Sequence, residues 1–236
     1  MCWISPTIGS TIAFAFRRVS LPPQGLFASR PLEPIDPTEF RNCVLYLVGF
    51  QGVGKLTVAR EICRRADFRL IDNHAINNLV FPFVREDGQS SLPSEIWGAT
   101  RRLREIVLET MATIGNRDFN FVFTNALLDG EPNDLRVYEQ FERAVAAREG
   151  CFIPVQLVCD EAEHVRRMTA PEREIVMKQT DGSAVARLHG TKRPFLPDHP
   201  HAFTVDVTRS EAGESARKIL MRAEAIYSEW RHPQDV

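Results

Sequence analysis

In the stretch GFQGVGKLT, residues 49–57, Gly49 is followed, after four intervening residues, by Gly54 and then Lys55. Glycines at this spacing let successive backbone N–H groups turn toward one anion, and a lysine ammonium at its end reaches the outer oxygens. The chemistry expected is phosphate binding, with Gly49, Gln51, Gly52, Val53, Gly54, Lys55, Leu56 and Thr57 forming the loop. Leu56 is discordant. In the full motif a hydroxyl directly after the lysine helps to hold magnesium, and leucine has none. Thr57, one residue further on, keeps a hydroxyl for a phosphate oxygen or for the metal.

A phosphoryl group held there needs an acid or base and further positive charge. Asp72, Asn73 and His74 close the apolar run FRLI at residues 68–71. In a parallel α/β sheet the carboxyl ends of the strands face the ligand crevice. Asp72 there could deprotonate an acceptor hydroxyl or hold magnesium through water, or it could only cap the helix that follows. His74 reads either as a substrate contact or as a hydrogen-bonded structural residue. Thr124 and Asn125 end another apolar run, where they line an acceptor pocket or simply terminate the strand; no carboxylate stands at that position, which disfavours a motor or vigorous ATPase. Arg166 and Arg167 precede an irregular basic stretch containing Arg173, Lys178, Arg187, Lys192 and Arg193. Late-arriving cations would stabilise charge on a transferring phosphoryl group, and Arg166, Arg173 and Arg187 are the candidates; solvated loop arginines are the alternative. His189, His199 and His201 are too few, with Pro200 between two of them, to suggest a zinc site. Cys159 has no evident activating partner, and Asp160 is placed to cap the next helix.

The elements that must position these groups alternate regularly. NCVLYLVG is a run suited to a strand buried on both faces, and TVAREICRR places Val58, Ala59, Ile62 and Cys63 on one helical stripe. FRLI, FNFVFT (119–124), FIPVQLV (152–158) and AFTVDV (202–207) read as four more strands. Between them lie helical periods over Ser94–Gly115, with Ile96, Ala99, Leu103, Ile106, Val107, Met111 and Ile114 as the apolar face, over Asn133–Glu149, and from about Glu161. SEAGESARKILMRAEAIYSEW closes the chain as an amphipathic helix, and Trp97 and Trp230 are expected in the core. The alternation predicts a three-layer α/β domain around a five-stranded, mostly parallel sheet. Residues 170–201, rich in proline, glycine and charge, break every period and are expected to be a functional connection.

Across 236 residues, 29 Lys and Arg balance 31 Asp and Glu for a net charge of -2. Bulk attraction to nucleic acid or anionic membrane is therefore not expected, and any anion site must be local. Residues 1–40 carry no acid before Glu33 and many prolines from Leu21 on, so they are expected to be a disordered extension or misassigned start, or an organelle-targeting presequence, ahead of a domain spanning 41–236. The stretch from Ile4 to Phe16 is too short and polar to span a bilayer. Five cysteines with no CxxC pair suit a reduced, cytoplasmic protein.

GFQGVGKLT resembles the GxPGxGKGT loop of adenylate kinase and its relatives, which also lack a hydroxyl directly after the lysine. The resemblance extends through GVGKLTVAREICRRADFRLIDNH, QLVCDEAEHVRRM and APERE to small P-loop proteins of the shikimate-kinase-like and AAA-type ATP-binding groups, over about residues 42–230. It implies a nucleoside-monophosphate-kinase-like P-loop NTPase fold, ATP as donor with Mg2+, and a lid over about 170–201. It also implies that the helix bearing Arg101, Arg102 and Arg104 faces the acceptor, although at least two of these are expected to form a solvent-facing strip. The expected activity is ATP-dependent phosphotransfer to a small molecule, with Lys55, Asp72, Arg173 and Arg187 as catalytic groups, in a monomer or homodimer without nucleic-acid or membrane partners. A regulatory module that binds nucleotide without transfer, and a nucleic-acid end-processing kinase, are the alternatives.

Overall fold

The chain runs β1 (Cys43–Val48), α1 (Lys55–Arg65), β2 (Phe68–Asp72), α2 (Asn73–Asn77), a 3-10 turn (Phe81–Phe83), α3 (Ile96–Thr113), β3 (Asn120–Asn125), α4 (Pro132–Ala147), β4 (Cys151–Val158), α5 (Glu161–Met168), α6 (Gly182–Thr191), β5 (Phe203–Asp206) and α7 (Ala212–Arg231). This is a computed structural model that describes residues 40–84, 92–169 and 182–232.

Every position of β1 is buried, and its side chains alternate between two apolar layers. Leu45 and Leu47 pack with Val58 and Ile62 of α1 and Ile219 and Ala223 of α7. Val44, Tyr46 and Val48 pack with Leu108 and Met111 of α3 and Tyr138, Phe141 and Val145 of α4. A strand without a polar face needs cover on both sides, and helical crossovers between parallel strands supply it. The sheet has the order β2-β3-β1-β4-β5 with every neighbouring pair parallel.

Parallel pairing brings all five strand ends to one edge. Asp72 lies opposite Thr124, Asn125 opposite Val48, and Val158 opposite Asp206. The chain order changes direction at β1, with β3 on one side and β4 on the other, so the loop after β1 emerges into the crevice between the two halves. The opposite edge is closed by Arg148, fully buried, whose guanidinium donates to the Asn42 side chain at 2.6 Å and to the carbonyls of Asn116 and Phe119 at 3.0 and 3.2 Å.

Several expectations are corrected. Trp97 is 53% exposed, with its ring in a T-shaped pair with Phe81 at 5.9 Å, and Ile106 and Ile114 are also exposed. The buried stripe of α3 is Ile96, Thr100, Leu108 and Met111, narrower than the apolar periodicity suggests. The segment expected to lack regular structure contains α6, and Pro194 beyond it bridges to Leu128, with Asp129 N donating to Arg193 O at 2.9 Å and Phe195 N to Leu127 O at 3.0 Å. Phe40 already belongs to the core, where its ring packs 5.2 Å from both Phe68 and Tyr227. Residues 1–39, and with them nearly all of the expected extension, lie outside the described residues.

Candidate functional site

The loop between β1 and α1 is shaped by three glycines at positive φ: 150° at Gly49, 97° at Gly52 and 103° at Gly54. Two are also sites of close approach. A Cβ on Gly49 would stand 2.4 Å from the Leu157 carbonyl oxygen, and one on Gly52 would stand 2.3 Å from Met168 Sδ. Lys55 is the first residue of α1 and is buried; its ammonium folds back across the loop, donating to the carbonyls of Gly49 at 2.9 Å and Phe50 at 2.7 Å. No side chain caps the helix and no acid stands in its first turn, so the first-turn N–H groups and the positive end of the helix dipole face the loop. That is a cradle for phosphate oxygens. Leu56 is half-buried, and Thr57 is exposed.

Helix α5 supports the loop from beneath. Asp160 caps it, accepting from the Glu163 N–H at 2.8 Å. His164 is fully buried, its ring parallel to Phe50 at 5.9 Å; Nε2 lies 2.7 Å from the Gln51 carbonyl and Nδ1 lies 2.8 Å from His189 Nε2 on α6. A carbonyl only accepts, so Nε2 of the neutral ring carries the proton, Nδ1 accepts, and His189 donates to it. Arg167 donates to Val53 O at 2.7 Å, to Val207 O at 2.6 Å and to Glu163 at 2.7 Å, joining the loop to the segment after β5.

Sequence reasoning named Arg166 and Arg167 together but chose Arg166 as the candidate, and it missed His164. Arg166 is exposed and grips Glu163 through two bonds of 2.6 Å, while Arg167 touches the loop. The signal was the helical phase, because a stripe through His164 and Met168 carries Arg167 inward and turns Arg166 about 100° away. The two arginines hold the Glu163 carboxyl well below its ordinary 4.5, at about 2.

On the other side of the loop, the Thr124 hydroxyl donates to Asp72 Oδ1. Asp72, the last residue of β2, precedes α2 but makes no side-chain cap there, and the Thr124 bond holds its carboxylate toward β3. It ends two strands from the loop, roughly 10 Å at ordinary strand spacing. Asn125 Nδ2 donates to the buried Tyr46 hydroxyl at 3.1 Å. His74 is half-buried on α2. Arg187 is exposed on α6, and Arg173 lies outside the described residues.

Beyond Arg167, a cavity of about 600 Å³ opens at the ends of β4 and β5, lined by Val158, Cys159, Asp160, Asp206, Thr208, Arg209 and Ser210. The Asp160 N–H donates to Thr208 Oγ1 at 2.9 Å across it. Burial pushes the Cys159 thiol up, which argues against a nucleophile. Among the described residues no three His, Cys, Asp or Glu side chains converge on a point that could hold a metal ion, and no helix is long and apolar enough to cross a membrane.

A gluconokinase from Sinorhizobium meliloti 1021 superposes on 83% of this chain and 99% of its own with a TM-score of 0.57 and 14% identity. A sugar kinase from Janibacter sp. HTCC2649 does so over 78% and 97%, with a TM-score of 0.51 and 14% identity. No family model and no curated protein matches the sequence. The likeness is one of architecture, and it agrees with the all-parallel sheet, the glycine loop after β1 and the helix that begins at Lys55: the chain has the fold of the P-loop small-molecule kinases.

Proposed function

We propose that the protein transfers the γ-phosphoryl group of ATP to a hydroxyl of a small acceptor. The observation that carries this reading is Lys55, buried at the head of α1 with its ammonium donating to the Gly49 and Phe50 carbonyls of the glycine loop. A phosphate entering the cradle offers those N–H donors charged oxygens in place of neutral carbonyls, the stronger partners. The nucleoside fits the cavity beyond Arg167, with the phosphates lying toward Lys55 and Thr57.

In the transfer, the acceptor oxygen bonds to the γ-phosphorus as the bond from that phosphorus to the bridging oxygen of ADP breaks. The hydroxyl proton passes to the Asp72 carboxylate, which the Thr124 hydroxyl orients. Lys55 follows the phosphoryl oxygens, and Arg187 adds positive charge from α6. Magnesium, when bound, neutralises phosphate charge; Thr57 and, through water, Asp72 are the groups this chain offers it. The fold likeness to a gluconokinase and a sugar kinase supports beginning with polyhydroxylated acceptors.

The test is ADP release from ATP and magnesium by the wild-type protein and Lys55→Ala, with and without a pool of small hydroxylated metabolites. Stimulation that disappears in the variant is the expected result. Leu56 and Asn125, which stand where hydroxyl and carboxylate metal ligands would help, favour a second reading: a regulatory module that binds nucleotide. It predicts ATP binding without turnover in any pool.

A further inference from the structure

His164 and His189 meet ring to ring beneath the glycine loop, and the hydrogens of the chain they form are set from the loop outward. Nε2 of His164 lies 2.7 Å from the Gln51 carbonyl, so it donates. Nδ1 of the same neutral ring is then an acceptor, and the hydrogen in its 2.8 Å contact comes from Nε2 of His189 on α6. Phe50, itself a loop residue, braces both rings: it lies parallel to His164 at 5.9 Å and forms a T-shaped pair with His189 at 5.1 Å.

The chain does not stop at the carbonyl. The Gln51–Gly52 peptide bond is trans, and a trans peptide carries its C=O and its N–H on opposite sides. With the Gln51 carbonyl turned down to His164, the Gly52 N–H points off the other side of the loop, away from α5. The α5 side of Gly52 is already filled, since a Cβ there would stand 3.2 Å from His164 Nε2 as well as 2.3 Å from Met168 Sδ. The Gly52 N–H is thereby a donor for the phosphate cradle between the loop and the head of α1.

Hydrogen bonds in a row polarise one another. A donor on Nδ1 of His164 makes its Nε2–H more acidic, which draws charge onto the Gln51 oxygen and makes the Gly52 N–H the better donor. One histidine would suffice to hold the carbonyl. The second adds the hydrogen that keeps the first ring in its donating tautomer and strengthens it. A packing role would ask of residue 189 only a side chain of suitable volume.

We propose that His189 is a positioning residue for the phosphates of a bound nucleotide: through His164 it fixes and polarises the Gln51–Gly52 peptide, whose N–H donates to a phosphate oxygen. The inference rests on the reading that the glycine loop binds nucleotide, but it does not require phosphoryl transfer. It makes nucleotide affinity depend on α6, an element that enters the chain only after β4 and α5.

The experiment is NMR on the full chain at about pH 8, well above the ordinary imidazole range. Without nucleotide, the His164 proton should reside on Nε2, with a scalar coupling between His189 Nε2 and His164 Nδ1. A non-hydrolysable ATP analogue with magnesium should then move the Gly52 amide resonance downfield, together with those of Gly54 and Lys55. His189→Leu should shrink the Gly52 shift and weaken analogue binding roughly 2- to 5-fold, part of the worth of one hydrogen bond. His189→Gln, whose amide can donate to Nδ1, should recover most of both. His189→Leu added to His164→Ala should weaken binding no further than His164→Ala alone, because the outer histidine acts through the inner one. A His164 proton on Nδ1, a Gly52 amide that stays still while other loop amides shift, or equal affinity in His189→Leu and wild type would overturn the inference. The first two are read on the wild-type protein and do not depend on any variant folding. Analogue binding with the expected signatures but no ADP release from any acceptor would remove the phosphotransfer reading and leave the inference standing. ADP release with a motionless Gly52 amide would do the reverse, and a loop in which no amide moves at saturating analogue would remove both.

Discussion

His164 links two parts of the site that are distant in sequence: its Nε2 meets the Gln51 carbonyl at 2.7 Å and its Nδ1 meets His189 at 2.8 Å. The imidazole therefore sets the height of the glycine loop above α5 and ties both to α6. A residue that only filled space could be replaced by any group of similar volume. One that orients a carbonyl needs a donor at that point.

His164→Ala is accordingly expected to weaken ATP binding by about 3- to 10-fold, the range of one lost hydrogen bond, and to lower the melting temperature. His164→Gln, which keeps a donor but not the second link, should restore part of the affinity. Calorimetric titration with ATP checks both. Equal affinity in wild type and His164→Ala would mean that the bond to Gln51 does not position the loop.

Gly52 and Gly130 separate backbone strain from packing, because both have positive φ, 97° and 73°, but only Gly52 has a neighbour in the way. Gly130→Ala should cost about 1 kcal/mol of stability, from the left-handed conformation alone, and leave ATP affinity unchanged. Gly52→Ala must in addition displace Met168 or the loop, for a further cost of about 1–3 kcal/mol and a fall in ATP affinity. Denaturant unfolding and ATP titration of the two variants would show the difference.

How far the sequence displays this site depends on whether the cause is local. The glycine loop is legible because its spacing, the apolar run before it and the helix after it are contiguous, and Gly49, Gly54 and Lys55 do meet in one loop. The alternation of apolar runs is legible because each strand buried on both faces lacks a polar stripe. Arg167 was obscured by its neighbour: two consecutive arginines have the same composition, and only the phase of His164 and Met168 tells them apart. Helix α6 escaped notice because GSAVARLHGT is short and flanked by residues that break helical period.

The Glu163 clamp gives a pH dependence of known sign. Arg166 and then Arg167 lower its pKa from 4.5 to about 2 on folding, so the unfolded chain takes up the proton first as the solution is acidified. The stabilisation is complete above the unfolded value, shrinks between about 4.5 and 2, and is gone below that. Thermal unfolding of wild type and Glu163→Gln should therefore differ by a constant amount from neutral pH down to about pH 5, and the two curves should converge on approach to pH 2. A constant difference across the acid range would assign the loss in the variant to packing.

Asp72 and Thr124 offer a division between chemistry and orientation. If the carboxylate accepts the acceptor's proton, Asp72→Asn removes a base but keeps an oxygen for the Thr124 hydroxyl; turnover should fall about 10²- to 10⁴-fold while ATP affinity stays within a factor of two or so. Thr124→Val removes the hydroxyl that holds Oδ1 and leaves the base, so its turnover should fall less, by about 10-fold, the worth of one hydrogen bond to a charged group. The double variant should then be no slower than Asp72→Asn alone, because a hydroxyl that acts only through a carboxylate has nothing left to orient once the carboxylate is gone. Additive losses would place the Thr124 hydroxyl on the acceptor itself.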